Sequence, residues 1–143
     1  MKRILLCIAL ISIVSIGSYA QSGIKFEHGN WDAVVAKAKA ENKLIFMDAY
    51  TTWCGPCKLL QKKVFPDVEL GNFYNKEFIN VKIDMENGEG PGLAAKYPVR
   101  GYPTLMFIDP NTQKVVNSVL GYREANQLLA IGQSQAAKKK ASR

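Results

Sequence analysis

The chain has 143 residues, of which 48% are hydrophobic and 22% charged, and its formal net charge is +7. That balance excludes a disordered chain, a collagen-like repeat and a polytopic membrane protein, and it suits one domain with a short leader or tail. The positive excess is terminal, carried by Lys2, Arg3, Lys138, Lys139, Lys140 and Arg143, so the body lacks the basic patch of a nucleic-acid-binding domain.

Lys2 and Arg3 precede an apolar run from Ile4 to Ile16, and Ser18-Tyr19-Ala20 puts small residues where a signal peptidase needs them. Residues 1–20 therefore read as a signal peptide cleaved after Ala20, which places the mature protein in the periplasm or outside the cell, with no stable membrane insertion. The competing reading is an uncleaved anchor, although Ile4 to Ala20 is at the short edge for a span of about 20 residues. Cys7 falls in the leader. The mature chain keeps Cys54 and Cys57, which pair with each other, with another molecule or with nothing.

A short strand is expected at Ile24 to Phe26. The spacing then predicts a helix over 30–43, with Asn30 as N-cap and Trp31, Val34, Val35 and Ala38 on one face. Leu44 to Tyr50 is an apolar run suited to a strand buried on both faces. A second helix starts inside the motif that follows; Cys57, Leu60 and Val64 line its inner face, and Pro66 limits it. Val68 to Asn75 reads as a short helical piece. Phe78 to Asp84 alternates as a strand whose wetter face holds Asn80, Lys82 and Asp84. Asn87 to Gly92 reads as a loop, and Leu93 to Tyr97 as a short helix. Thr104 to Ile108 and Val115 to Val119 read as a hairpin, and Glu124 to Gln135 as a last helix. Residues 137–143 read as a basic, disordered tail. The order implies an α/β fold: a small mixed sheet, helices on both faces and an antiparallel C-terminal hairpin.

The chemistry centres on Cys54-Gly55-Pro56-Cys57. Two intervening residues let the sulfurs meet where the chain turns into a helix. Cys54 would sit at the helix N-terminus, where unpaired N–H groups and the dipole favour a thiolate. Cys57 would lie one turn inside. Cys54 then attacks a substrate disulfide, and Cys57 resolves the mixed disulfide. A zinc site is a poor alternative, since four ligands are needed and the mature chain offers these two cysteines and His28. An inert structural disulfide and a binding or chaperone module without turnover remain as further alternatives. The Gly88 to Gly92 run lacks the Lys-Ser/Thr pair of a phosphate loop.

Trp53-Cys54-Gly55-Pro56-Cys57-Lys58 resembles the thioredoxin active-site signature, and the resemblance extends over about residues 24 to 135. It is carried also by Leu44 to Tyr50 and by Arg100-Gly101-Tyr102-Pro103-Thr104. The exported leader suits the secreted bacterial thioredoxin-like proteins. The resemblance implies a thioredoxin fold over 21–136 and thiol–disulfide oxidoreductase activity, most simply the reduction of protein disulfides. It implies that Pro103 is a cis-proline facing the cysteines, and that Trp53, Gly55, Pro56, Tyr102 and Pro103 shape the substrate groove. Asp48 matches the family's buried acid behind the second cysteine, a proton acceptor for Cys57 whose pKa burial would raise. Hydrogen bonding purely to its surroundings is the alternative role for Asp48. No metal or organic cofactor is implied. The partners are disulfide-containing proteins and a membrane or exported electron donor, and a monomer is expected.

Three positions depart from the family pattern. Asn80 stands where many thioredoxins carry a lysine near the acid. Lys62 stands where a proline often kinks the active-site helix, and Tyr102 replaces a small aliphatic residue.

Overall fold

A computed structural model describes residues 23–142; the signal-peptide reading lies outside them. In chain order the elements are α1 (Trp31–Glu41), β1 (Leu44–Tyr50), α2 (Gly55–Leu59) running into a π-helical turn (Leu60–Val64), α3 (Val68–Glu77), β2 (Phe78–Asp84), α4 (Gly90–Lys96), β3 (Thr104–Ile108), β4 (Val115–Leu120) and α5 (Ala125–Ala141). The sheet order is β2-β1-β3-β4. β1 pairs parallel with β2 and antiparallel with β3, and β3 with β4 forms the expected hairpin.

β1 is the pivot. Its alternating side chains go to two separate cores. Ile45, Met47 and Ala49 join the core covered by Trp31, Val34, Val35 and Ala38 of α1 and by Leu93 of α4. Leu44 and Phe46 join the core covered by Leu60 and Val64, by Leu70 and Tyr74 of α3, and by Leu128 and Ala136 of α5. In the second core the Phe46 ring meets Tyr74 edge-on at 4.8 Å.

The local signals explain most boundaries. The Asn30 side chain accepts from Ala33 N–H, Asn42 closes α1 in a left-handed conformation, and Asp67 caps α3 through Leu70 N–H. Phe65 N–H donates to Leu60 O, the wider bond of a π turn, and the turn spans Lys62, where the family often has a proline.

Four expectations are corrected. Residues 24–26 form no strand: Ile24 N–H goes to Phe65 O and Lys25 N–H to the Asn75 side chain, so no ladder forms. Asn80 is buried rather than on a wet face, and its amide donates to carbonyls of Lys25 and Tyr74 and to the Asn75 side chain. α4 begins at Gly90, inside the expected loop, because Pro91 suits a first turn. The expected disordered tail is helix to Ala141. Gln135 and Ala136 are buried, Lys139 pairs with Asp109 at 3.1 Å and Lys140 with Glu77 at 3.0 Å. The lysines also sit in the last turn, where cations complement the helix dipole.

α3 packs so closely on the N-terminal segment that a Cβ on Gly71 would come within 2.3 Å of the Gly23 carbonyl carbon. Alanine normally stabilises a helix interior relative to glycine by about 1 kcal/mol. Here Gly71→Ala reverses that sign and destabilises the protein by roughly 1–3 kcal/mol, measured by denaturant unfolding.

Candidate active site

The site forms where β1 ends and the next helix begins. Cys54 N–H donates to Thr51 O at 3.3 Å, closing the turn that leaves the strand. Cys54 is the N-cap of α2, and its Sγ accepts from Cys57 N–H at 3.2 Å. Gly55 and Pro56 form the exposed first turn, the position at which proline costs no hydrogen bond. Cys54 and Cys57 form a disulfide with a Cα–Cα separation of 5.3 Å. Cys54 is 3% exposed and Cys57 0%, the expected order with a small margin.

Two further segments complete the border. The Tyr102–Pro103 peptide is cis, as the resemblance implied; Pro103 is buried and Tyr102 half-buried. The Tyr102 ring meets the Trp53 ring edge-on at 5.9 Å. From the loop after β2, Glu86 accepts a hydrogen bond from the Trp53 indole at 3.0 Å. Glu86 sits in a loop with no distinctive spacing, and no sequence signal singled it out.

Asp48 lies in the middle of β1, fully buried. Strand alternation puts it on the Phe46 side, the face that Leu60 and Val64 of the active-site helix cover. Neither carboxylate oxygen has a hydrogen-bond partner within the protein. Burial pushes its pKa up to about 7, against a smaller downward pull from Lys82. Lys82 is directly in register with Asp48 across the parallel pair. Its ammonium is half-buried, sits 5.1 Å from the Tyr50 ring centre and 5.6 Å from that of Phe26, and is pulled down by desolvation. The charge partner of the acid is thus Lys82, two residues beyond Asn80.

His28 is exposed, and among the described residues no cluster of three or more His, Cys, Asp or Glu side chains could hold a metal ion. Among the described residues no helix is long and apolar enough to cross a membrane.

Residues 23–133 match the protein-family model for thioredoxin. The chain belongs to the thioredoxin family. Its architecture is the thioredoxin fold, and the family's chemistry is thiol–disulfide exchange. It is 31% identical over 134 residues to protein disulfide-isomerase 1 of Dictyostelium discoideum, covering 89% of this chain and 34% of that protein. To the thiol:disulfide interchange protein DsbD of Tatumella citrea it is 30% identical over 95 residues, 65% of this chain and 16% of that protein. A solution structure from Bacteroides thetaiotaomicron, named for a proposed disulphide-isomerase, is 44% identical with a TM-score of 0.67, over 76% of this chain and 89% of that one. The chain thus spans about a third or less of these two curated relatives.

Asp48 makes the thioredoxin site a measurable load on the fold. An acid whose native pKa lies above its unfolded value, here 3.8, keeps its proton longer when folded. Its contribution to stability is complete below the unfolded value, falls as pH rises and levels off above about 7. Asp48→Asn is therefore more stable than the wild type at pH 8, by roughly 2–4 kcal/mol, and nearly equal to it at pH 4. Urea unfolding of the disulfide form at the two pH values reads this difference.

Proposed function

We propose that this protein is an exported thiol–disulfide oxidoreductase that reduces protein disulfides. One arrangement carries the reading: Cys54 caps the active-site helix, joined to the buried Cys57, above a sheet face that holds the buried Asp48. The disulfide form is one end of the cycle. A dithiol donor, in the membrane or exported, delivers two electrons and two protons and leaves Cys54 and Cys57 as thiols. Cys57 N–H, already 3.2 Å from the Cys54 sulfur, and the helix dipole then favour the Cys54 thiolate.

The thiolate attacks one sulfur of the substrate disulfide, forming a mixed disulfide. The other substrate sulfur leaves as a thiolate and takes a proton. Cys57 gives its proton to Asp48, whose pKa near 7 lets it accept at neutral pH. The Cys57 sulfur attacks Cys54, restores the internal disulfide and releases the second substrate thiol. Two electrons have passed from the protein dithiol to the substrate disulfide. Trp53, Tyr102 and Pro103 flank the approach, with the Tyr102 backbone offered for strand-like pairing to an extended substrate segment.

The uncharged Gly55-Pro56 pair supports the reducing direction, because nothing charged between the cysteines gives Cys54 extra stabilisation. Export follows from the reading of residues 1–20, which puts Gln21 at the mature N-terminus. A second reading is isomerisation. It is favoured by the names of the Dictyostelium discoideum and Bacteroides thetaiotaomicron relatives. It uses the same cysteines, with Cys54 attack repeated on mispaired substrates.

Trapping tests the assignment. Cys57→Ser accumulates mixed disulfides through Cys54, seen as reductant-sensitive bands on a gel, whereas Cys54→Ser neither turns over nor traps. Equal trapping by both variants would contradict Cys54 as the nucleophile and Cys57 as the resolving thiol. In single-turnover assays at pH 7, Asp48→Asn slows resolution of the mixed disulfide by roughly tenfold or more.

A further inference from the structure

The cysteine turn follows one end of β1, and the end that starts at Leu44 is about 20 Å away, at roughly 3.3 Å per residue. β3 runs antiparallel to β1, so the turn between β3 and β4 also lies at the Leu44 end. The last turns of α5 reach the same place, where Lys139 pairs with Asp109. Two adjoining clefts open there, both bordered by Leu44 and Lys139. Lys43, Lys76 and Lys140 line one, and Lys138 and Val116 line the other. At about 130 and 230 Å³ they are smaller than the roughly 300–1,000 Å³ of a small-molecule pocket.

The charges at this end do not balance. The carboxylates lining the clefts are Glu41, Glu77 and Asp109. Each is already paired, with Lys43 at 2.7 Å, Lys140 at 3.0 Å and Lys139 at 3.1 Å. Lys76 and Lys138 are exposed, as is Lys114 in the turn before β4, and none of the three makes an ion pair among the described residues. Val115 and Val116, 40% and 50% exposed, stand beside them. The face thus offers free ammonium groups and an apolar margin, with no unpaired acid in either cleft. Its cations are all lysines, which act as point charges on flexible apolar stems and lack the fixed fork with which arginine grips a single anion. Such a surface suits a continuous sheet of negative charge with an apolar layer beneath it.

We propose that this face docks the protein on an anionic lipid surface: Lys76, Lys114 and Lys138 meet the headgroup phosphates, Val115 and Val116 reach the acyl boundary, and Cys54 faces away from the membrane. The docking inserts no helix and holds for either direction of electron flow.

The test sediments the protein that begins at Gln21 with vesicles of phosphatidylcholine alone or with about one-third phosphatidylglycerol. A salt concentration of about 0.1 M screens charges more than ~10 Å from the membrane. Wild type partitions into the anionic vesicles roughly tenfold or more above the neutral ones, and about 0.5 M salt releases it. Each free lysine contributes about fivefold, so the combined Lys76→Gln, Lys114→Gln and Lys138→Gln variant partitions roughly 100-fold less. Val116→Ser lowers partitioning about threefold and leaves its salt dependence unchanged. Lys58→Gln, Lys62→Gln and Lys63→Gln together remove the same charge from the active-site helix and change partitioning by about threefold at most. Reduced protein on the vesicles is alkylated at Cys54 as fast as free protein. Equal partitioning into neutral vesicles, equal losses in the two triple variants, or protection of Cys54 on binding overturns the proposal. Release by inorganic phosphate beyond that caused by chloride at equal ionic strength overturns it in favour of a discrete anion site. Displacement from the vesicles by polyglutamate at matched charge overturns it in favour of an acidic protein partner.

Discussion

A carboxylate in the middle of a strand that is buried on both faces is the constraint around which this molecule is arranged. β1 pairs on both edges and feeds two cores, so Asp48 is fully buried and makes no hydrogen bond within the protein. Burial of an unpaired acid is expensive unless it keeps its proton. The fold tolerates it with one nearby ammonium, Lys82, which is itself half-buried and pulled away from its charged form. Burial pushes Asp48 up to about 7 and pulls Lys82 down from its usual range, so each is shifted toward its neutral form.

The rest of the site is assembled from segments far apart in the chain. The cysteines come from the β1–α2 junction, the cis peptide from the start of β3, and the Trp53 acceptor from the loop after β2. What holds them in register is the central pairing of β1 with β2 and β3. The π turn at Leu60–Val64 falls where the family often uses proline, and Leu60 and Val64 stay in the core.

Much of this was legible in the residues. The cysteine spacing, the apolar run of β1 and the Asn30 cap are local patterns, and each corresponds to the element observed. Asp48 stood out as the charged residue in an apolar run. Lys82 did not, because its partnership is a register between strands more than 30 residues apart, and its own strand pattern marked it as merely wet. Asn80 was misread for the same reason: what dries it is the N-terminal segment folded over β2. The C-terminal lysines looked like a solvated tail, since partners such as Asp109 and Glu77 are remote in sequence. Local rules find elements and reactive residues; they do not find which distant charge will face them.

The central claim is that this dithiol gives electrons away. Its uncharged Gly55-Pro56 turn offers a Cys54 thiolate only the helix terminus and the Cys57 N–H, without the added charge between the cysteines that would stabilise the dithiol further. Thioredoxin itself is poised at about −270 mV, and strong oxidants of this chemistry at about −120 mV. The direct measurement is equilibration of the mature protein with glutathione buffers, the dithiol fraction read by alkylation. The account predicts a midpoint below about −220 mV; a midpoint above about −170 mV would contradict it and move the protein to the oxidase or isomerase side.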